Sequence, residues 1–123
     1  MPVSFDGLNF KAIKRVKLIY SDGTYCVKRL IVCKSFFSRL KGMLFERKEN
    51  HKKAYLIVPC NAIHTFFMAY PIDVVFLARA GDVISQSRVS VFRAMKERDA
   101  FAVLEGTRLL KSYNNVVEVQ FLC

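Results

Sequence analysis

Residues 71–83, PIDVVFLARAGDV, constrain the fold of this chain more than any other stretch. Pro71 disfavours helix just before it, and Arg79-Ala80-Gly81-Asp82 turns the chain soon after. Between these breakers lies Asp73 to Ala78, an apolar run too short for a helix and suited to a strand at the centre of a sheet. The wider segment, Cys60 to Val83, is almost purely apolar yet carries His64, Thr65 and Asp73. A polar group buried there without a partner would cost about 1–3 kcal/mol. These side chains therefore need either a structural network or a site to hold them.

Other segments read the same way. Lys14 to Tyr20 alternates as a half-buried strand, Ser21-Asp22-Gly23-Thr24 is a turn, and Thr24 to Cys33 returns as a second strand. Ala54 to Val58, Val83 to Val91, Phe101 to Glu105 and Val116 to Leu122 complete the strands. Ser35 can cap a short helix from Phe36 to about Leu40, and Thr107 a second one to Tyr113. Residues 59–72 read as irregular, and 93–99 as a charged loop or a single helical turn. The expected fold is α+β and mostly antiparallel β: a compact, barrel-like single domain over residues 14–123 with one or two short helices. Residues 1–13 read as a flexible lead-in.

Charge is unevenly distributed. Residues 1–60 carry 13 Lys and Arg against 4 Asp and Glu, or +9 of the total +10. Lys41, Arg47, Lys48, Lys52 and Lys53 form the densest basic patch. The plain reading is a solvated face; the functional one is a surface for an acidic protein or an anionic surface. Nucleic acid is disfavoured, because the interleaved phenylalanines Phe36, Phe37 and Phe45 have core-like spacing and no nucleic-acid-binding motif is present. The start of the sequence lacks the apolar core of a secretory signal, and no stretch is long enough to be a membrane-spanning helix; a cytoplasmic location is the simplest expectation. Cys26, Cys33, Cys60 and Cys123 show no paired spacing, which favours free thiols.

Catalytic templates find little support. The glycines are scattered, so no phosphate-cradling loop is expected, and no serine elbow occurs. Cys60, His64 and Asp73 could form a nucleophilic site or supply three metal ligands, but the spacing is irregular and no fourth ligand stands out. The plainer reading makes Cys60 a core residue and His64 a hydrogen-bonded, half-buried ring. Asp73 and Glu105 each sit at the end of an apolar strand, with Arg39 and Arg88 as candidate partners. A paired, internal role suits such carboxylates. A binding module without catalytic residues, resident metal or cofactor is favoured over an enzyme. Arg39, His64, Thr65, Asp73 and Glu105 are its candidate contact residues.

Three motifs make this chain resemble the family known as domain of unknown function 192. They are Ser38-Arg39-Leu40-Lys41-Gly42-Met43-Leu44-Phe45; Ile63-His64-Thr65-Phe66-Phe67-Met68 leading into Pro71 to Leu77 and Gly81-Asp82-Val83; and Val103-Leu104-Glu105-Gly106. The resemblance covers about residues 14–122 and implies a compact, mostly β, barrel-like domain with no established activity or cofactor. It implies that Arg39, Asp73 and Glu105 are the polar positions that fit the family best. Many relatives carry Trp-Met where His64-Thr65 stands, so no catalytic role for His64 is implied. The branch with Ile-His-Thr resembles proteins found beside pilus and secretion components.

Overall fold

A computed structural model describes residues 4–34, 51–66 and 68–123. Its strands, in chain order, are β1 (Arg15–Tyr20), β2 (Tyr25–Cys33), β3 (Lys53–Ile57), β4 (Ala62–His64), β5 (Ile72–Leu77), β6 (Val83–Val89), β7 (Ala94–Lys96), β8 (Ala102–Gly106) and β9 (Val116–Leu122). Seven of them form one curled sheet in the order β6-β5-β8-β3-β2-β1-β9, and β4 pairs with β7 in a small second sheet. All pairings are antiparallel except β2 with β3.

The sheet curls into a half-barrel, and its two edges, β6 and β9, approach each other at Gln86 and Val116. The side-chain amide of Gln86 on β6 stitches the seam: Nε2 donates to the Val116 carbonyl at 2.9 Å, and Oε1 accepts the Val116 N–H at 2.8 Å. One side chain thus substitutes for a pair of strand-to-strand hydrogen bonds and covers an edge that would otherwise be open.

Strand alternation divides the apolar residues between two cores. Val16, Leu18, Leu30, Leu56, Val75 and Leu104 point into the barrel. Ile57, Ile63, Ile72, Val74, Phe76 and Val103 pack outside it, under β4, β7 and the loops that carry them. β5 is buried along its whole length because it contributes to both cores. At about 1.5–3 kcal/mol per fully buried large apolar side chain, this central strand anchors the fold.

The α+β expectation is corrected: the fold is all-β, and the described residues include no helix. Over Thr107–Tyr113 the reason is local. Arg108 adopts φ 55°, a left-handed conformation that ends any helical turn. The N–H groups of Leu109 and Leu110 then point at the Asp73 carboxylate. The helix expected from Phe36 lies outside the described residues. The small strands β4 and β7 fall where irregular chain and a charged loop were expected. Residues 4–13 are packed against the barrel. Phe5 is buried, its N–H donates to the Arg79 carbonyl at 2.9 Å, and its ring meets Phe10, Phe101 and Phe121. This aromatic group closes one end of the barrel.

Candidate binding site

The other end, where β5 begins and β8 and β1 finish, is polar. Asp73, 1% exposed, sits at its centre. Oδ2 accepts the N–H groups of Leu109 and Leu110, each at 3.0 Å, and Oδ1 accepts Arg88 Nε at 2.9 Å. A buried carboxylate is tolerated when its lone pairs are met in this way. Arg88 lies directly opposite Asp73 in the β5–β6 register, which fixes the ion pair. The segment after β8 is thereby tied across the barrel mouth.

Further groups ring the same mouth. Tyr20 Oη donates to the Leu109 carbonyl at 2.6 Å and lies 3.2 Å from Cys26 Sγ. Burial, followed by the contact with Cys26, raises the Tyr20 phenol well above its ordinary range. Lys28 is 8% exposed and donates from Nζ to the carbonyls of His51 and Thr107. Burial lowers its ammonium pKa; nearby Arg108 lowers it too, while Cys26 and Asp73 act in the opposite direction. His51 Nδ1 is 2.9 Å from Thr107 Oγ1, so this ring belongs to the mouth rather than to a solvated loop.

The remaining sequence candidates lie elsewhere. Glu105, 0% exposed, pairs in register with Val74 and Tyr55, which belong to the outer core, whereas Asp73 is one position out of step and faces the barrel interior. The two carboxylates therefore occupy opposite faces of the sheet and do not form one brace. Thr65 is buried: Oγ1 donates to the Ser90 carbonyl at 2.6 Å and accepts the Arg93 N–H at 3.0 Å, clasping the β6–β7 connection. His64 stacks on Phe66, with ring centroids 4.8 Å apart. It lines an apolar cavity of about 390 Å³ with Ile63, Met95 and Lys96. Cys60 Sγ donates to the Ala62 carbonyl at 3.0 Å. Cys60, His64 and Asp73 are not brought together: no group of three or more His, Cys, Asp or Glu side chains suited to a metal occurs among the described residues. Arg39, Lys41, Arg47 and Lys48 lie outside the described residues.

Lys52 and Lys53 adjoin a second basic region. In the sheet register Arg15 pairs with Arg29 across β1–β2, and Arg29 with Lys53 across β2–β3. The three cations form one row on the outside of the barrel. Lys17 shares that face, with its Nζ 4.3 Å from the centre of the Tyr25 ring. Arg15, Tyr25, Val27 and Arg29 are exposed there.

The profile of one family matches residues 19–120, which includes the whole of the barrel mouth and the seam. That family is DUF192, described as Uncharacterized ACR. The chain belongs to the DUF192 family. This DUF192 chain also resembles two crystal structures. One is a Sinorhizobium meliloti protein described provisionally as a transcription regulator: 17% identity, TM-score 0.69, 87% of this chain and 92% of the other covered. The second, from Novosphingobium aromaticivorans, is a protein of unknown function: 18% identity, TM-score 0.67, 98% of this chain and 92% of the other covered. At such identities the likeness shows a shared fold. No curated protein matches the chain. No helix among the described residues of the DUF192 barrel is long and apolar enough to cross a membrane.

Sequence reasoning placed Asp73 at a strand end and named Arg88 as a partner, but missed Lys28, Arg108 and Lys111. Arg108 and Lys111 were hidden inside a stretch with good helical spacing. A faint signal was Gly106 directly before Thr107, a glycine next to a helix start that could equally begin a loop.

Proposed function

We propose that this DUF192 domain is a binding module that engages an acidic protein partner through the cationic outer face of β1, β2 and β3. The observation that carries this reading is the cross-strand row Arg15–Arg29–Lys53. Like charges directly opposite each other on adjacent strands are destabilising, by roughly 0.2–1 kcal/mol for each pair. The repulsion between Arg15 and Arg29 is relieved when a carboxylate-rich surface is laid across the row. Tyr25 and Val27, 60% and 41% exposed, add apolar contact beside the charges. Aromatic and arginine side chains together are the composition of binding hot spots. The setting beside pilus and secretion components, suggested by the sequence resemblance, is consistent with an acidic protein as the partner.

Binding of poly-glutamate, measured by calorimetry in low salt, tests the reading. The double variant Arg15→Glu, Arg29→Glu should bind about tenfold more weakly or worse. Unchanged affinity in that variant refutes it. Single-stranded DNA held more tightly than poly-glutamate, with a steep salt dependence, would replace the acidic protein with nucleic acid.

A further inference from the structure

We propose that the Asp73 mouth of the barrel is a binding site for the phosphoryl group of a soluble phosphomonoester, held by Arg88, Arg108 and Lys111. This site is separate from the outer cationic face and does not depend on it. A cavity of about 100 Å³ lies between Pro71, Asp73, Arg88, Thr107 and Arg108. A second, of about 240 Å³, is lined by Arg88, Leu110, Lys111 and Ser112. Arg88 lines both. Arg108 lines the smaller and Lys111 the larger, so a phosphoryl group held by all three cations would span the two cavities beside Arg88.

Charge identifies the group. Among the described residues, the charged side chains lining the two cavities are Arg88, Arg108, Lys111 and Asp73. An excess of cations over carboxylates favours an anion carrying more than one charge, as a phosphate monoester does above its second ionisation, near pH 6. Asp73 does not repel such a ligand strongly, because its oxygens are already met by Arg88 Nε and the N–H groups of Leu109 and Leu110. Lys28, buried at the same mouth, donates to the carbonyl of Thr107, the residue before Arg108. Asp22 bonds Thr24 and Asn114 and also feels the charge of Lys111.

The positions are also held. Asp73 anchors the Arg88 guanidinium through Nε at 2.9 Å. Lys111 Nζ donates to Thr24 Oγ1 at 2.7 Å and lies 4.2 Å from the centre of the Tyr20 ring. Arg108 is the most telling residue. It occupies a left-handed backbone position, φ 55°, where glycine or asparagine would be accommodated more easily. The backbone turn that serves Asp73 does not need an arginine. A guanidinium there makes sense as a contact for an anion, since arginine recognises phosphate through paired N–H donors.

The test uses the whole chain with inorganic phosphate as the probe, compared with acetate and chloride at matched ionic strength. Phosphate should raise the thermal midpoint by on the order of 5 °C once it exceeds its dissociation constant about tenfold, with little response to the other anions. Phosphorus NMR should show the phosphate line broadening. Arg108→Asn suits the left-handed backbone and should fold at least as well, yet it should abolish both responses. Lys111→Gln should weaken binding at least severalfold, and Arg15→Gln should leave it intact. An equal response to chloride, or a full phosphate response in Arg108→Asn, overturns the proposal. Sedimentation with phosphatidic acid vesicles that depends on Arg108, without any response to inorganic phosphate, overturns it in favour of a lipid surface.

Discussion

Replacing Asp73 with alanine should destabilise the barrel by about 3 kcal/mol, from hydrogen bonds alone. Three donors converge on the carboxylate: the Leu109 and Leu110 N–H groups at 3.0 Å and Arg88 Nε at 2.9 Å. Leu109 is fully buried, so its orphaned N–H would cost about 1–3 kcal/mol. Leu110 is half-buried and can recover part of its bond from water, which leaves about 1 kcal/mol. The Arg88 side chain is 64% exposed and contributes no more than about 1 kcal/mol, as surface ion pairs do. Relief of the carboxylate's own desolvation offsets part of the sum. Asparagine in place of Asp73 can keep its oxygen on the two amides, but its NH₂ group then meets Arg88 Nε, donor against donor. Its cost should be intermediate, about 1.5–2 kcal/mol. Urea unfolding followed by far-ultraviolet circular dichroism and tyrosine fluorescence measures all of these, since the chain has five tyrosines and no tryptophan. For a domain with a total stability of about 5–15 kcal/mol, the alanine variant should lose roughly 10 °C or more in midpoint. Arg88→Ala should lose far less. A loss below about 1 kcal/mol for Asp73→Ala, or a loss for Arg88→Ala as large, would show that the carboxylate does not tie the mouth segment down.

Two other perturbations probe the same end of the barrel. The Tyr20 phenol is raised above its ordinary 10.0 by burial, so both states are neutral below pH 10 and only the unfolded chain gains by ionising just above it. Stability, followed by urea unfolding, should therefore fall as pH rises past about 10; Tyr20→Phe should flatten that alkaline slope while costing the bond to Leu109. Gln86→Ala should unstitch the seam, lowering stability by about 1–2 kcal/mol and speeding amide exchange at Val116, whose N–H it leaves without the Gln86 oxygen; unchanged exchange there would mean that the two edges are held by packing alone.

The readable parts of this fold are those where a local pattern and the tertiary structure agree. The strand expected over Asp73 to Ala78 lies within one residue of β5, because Pro71 and Gly81 bound it whatever it packs against. The hairpin Lys14 to Cys33 was legible for the same reason: the Asp22 side chain accepts the Thr24 N–H, so the turn is encoded within three residues. Illegible were features set by distant partners. Thr107–Tyr113 has respectable helical spacing, but Asp73, 36 residues away from Leu109, takes the amides that a helix would have used. β4 and β7 are three-residue strands that pair with each other, too short for any periodicity to show. Glu105 and Asp73 look equivalent in sequence, each a carboxylate at the edge of an apolar run. A register offset of one residue sends them to opposite faces.

The same offset bears on how the mouth is built. On the interior face, β6 presents Gln86 and then Arg88, two residues apart and therefore on one side of the strand. Gln86 fastens β6 to the start of β9, and Arg88 fastens it to Asp73 at the start of β5. Asp73 in turn holds Leu109 and Leu110, and the Leu109 carbonyl receives the Tyr20 hydroxyl at the end of β1. Polar bonds thus run from β9 through β6 and β5 to the segment after β8 and on to β1, around the rim. A rim closed by side-chain bonds between different strands keeps the mouth cations in place more firmly than a free loop would. Flexibility introduced at the seam should therefore be felt at Arg88, although Gln86 itself lines neither mouth cavity.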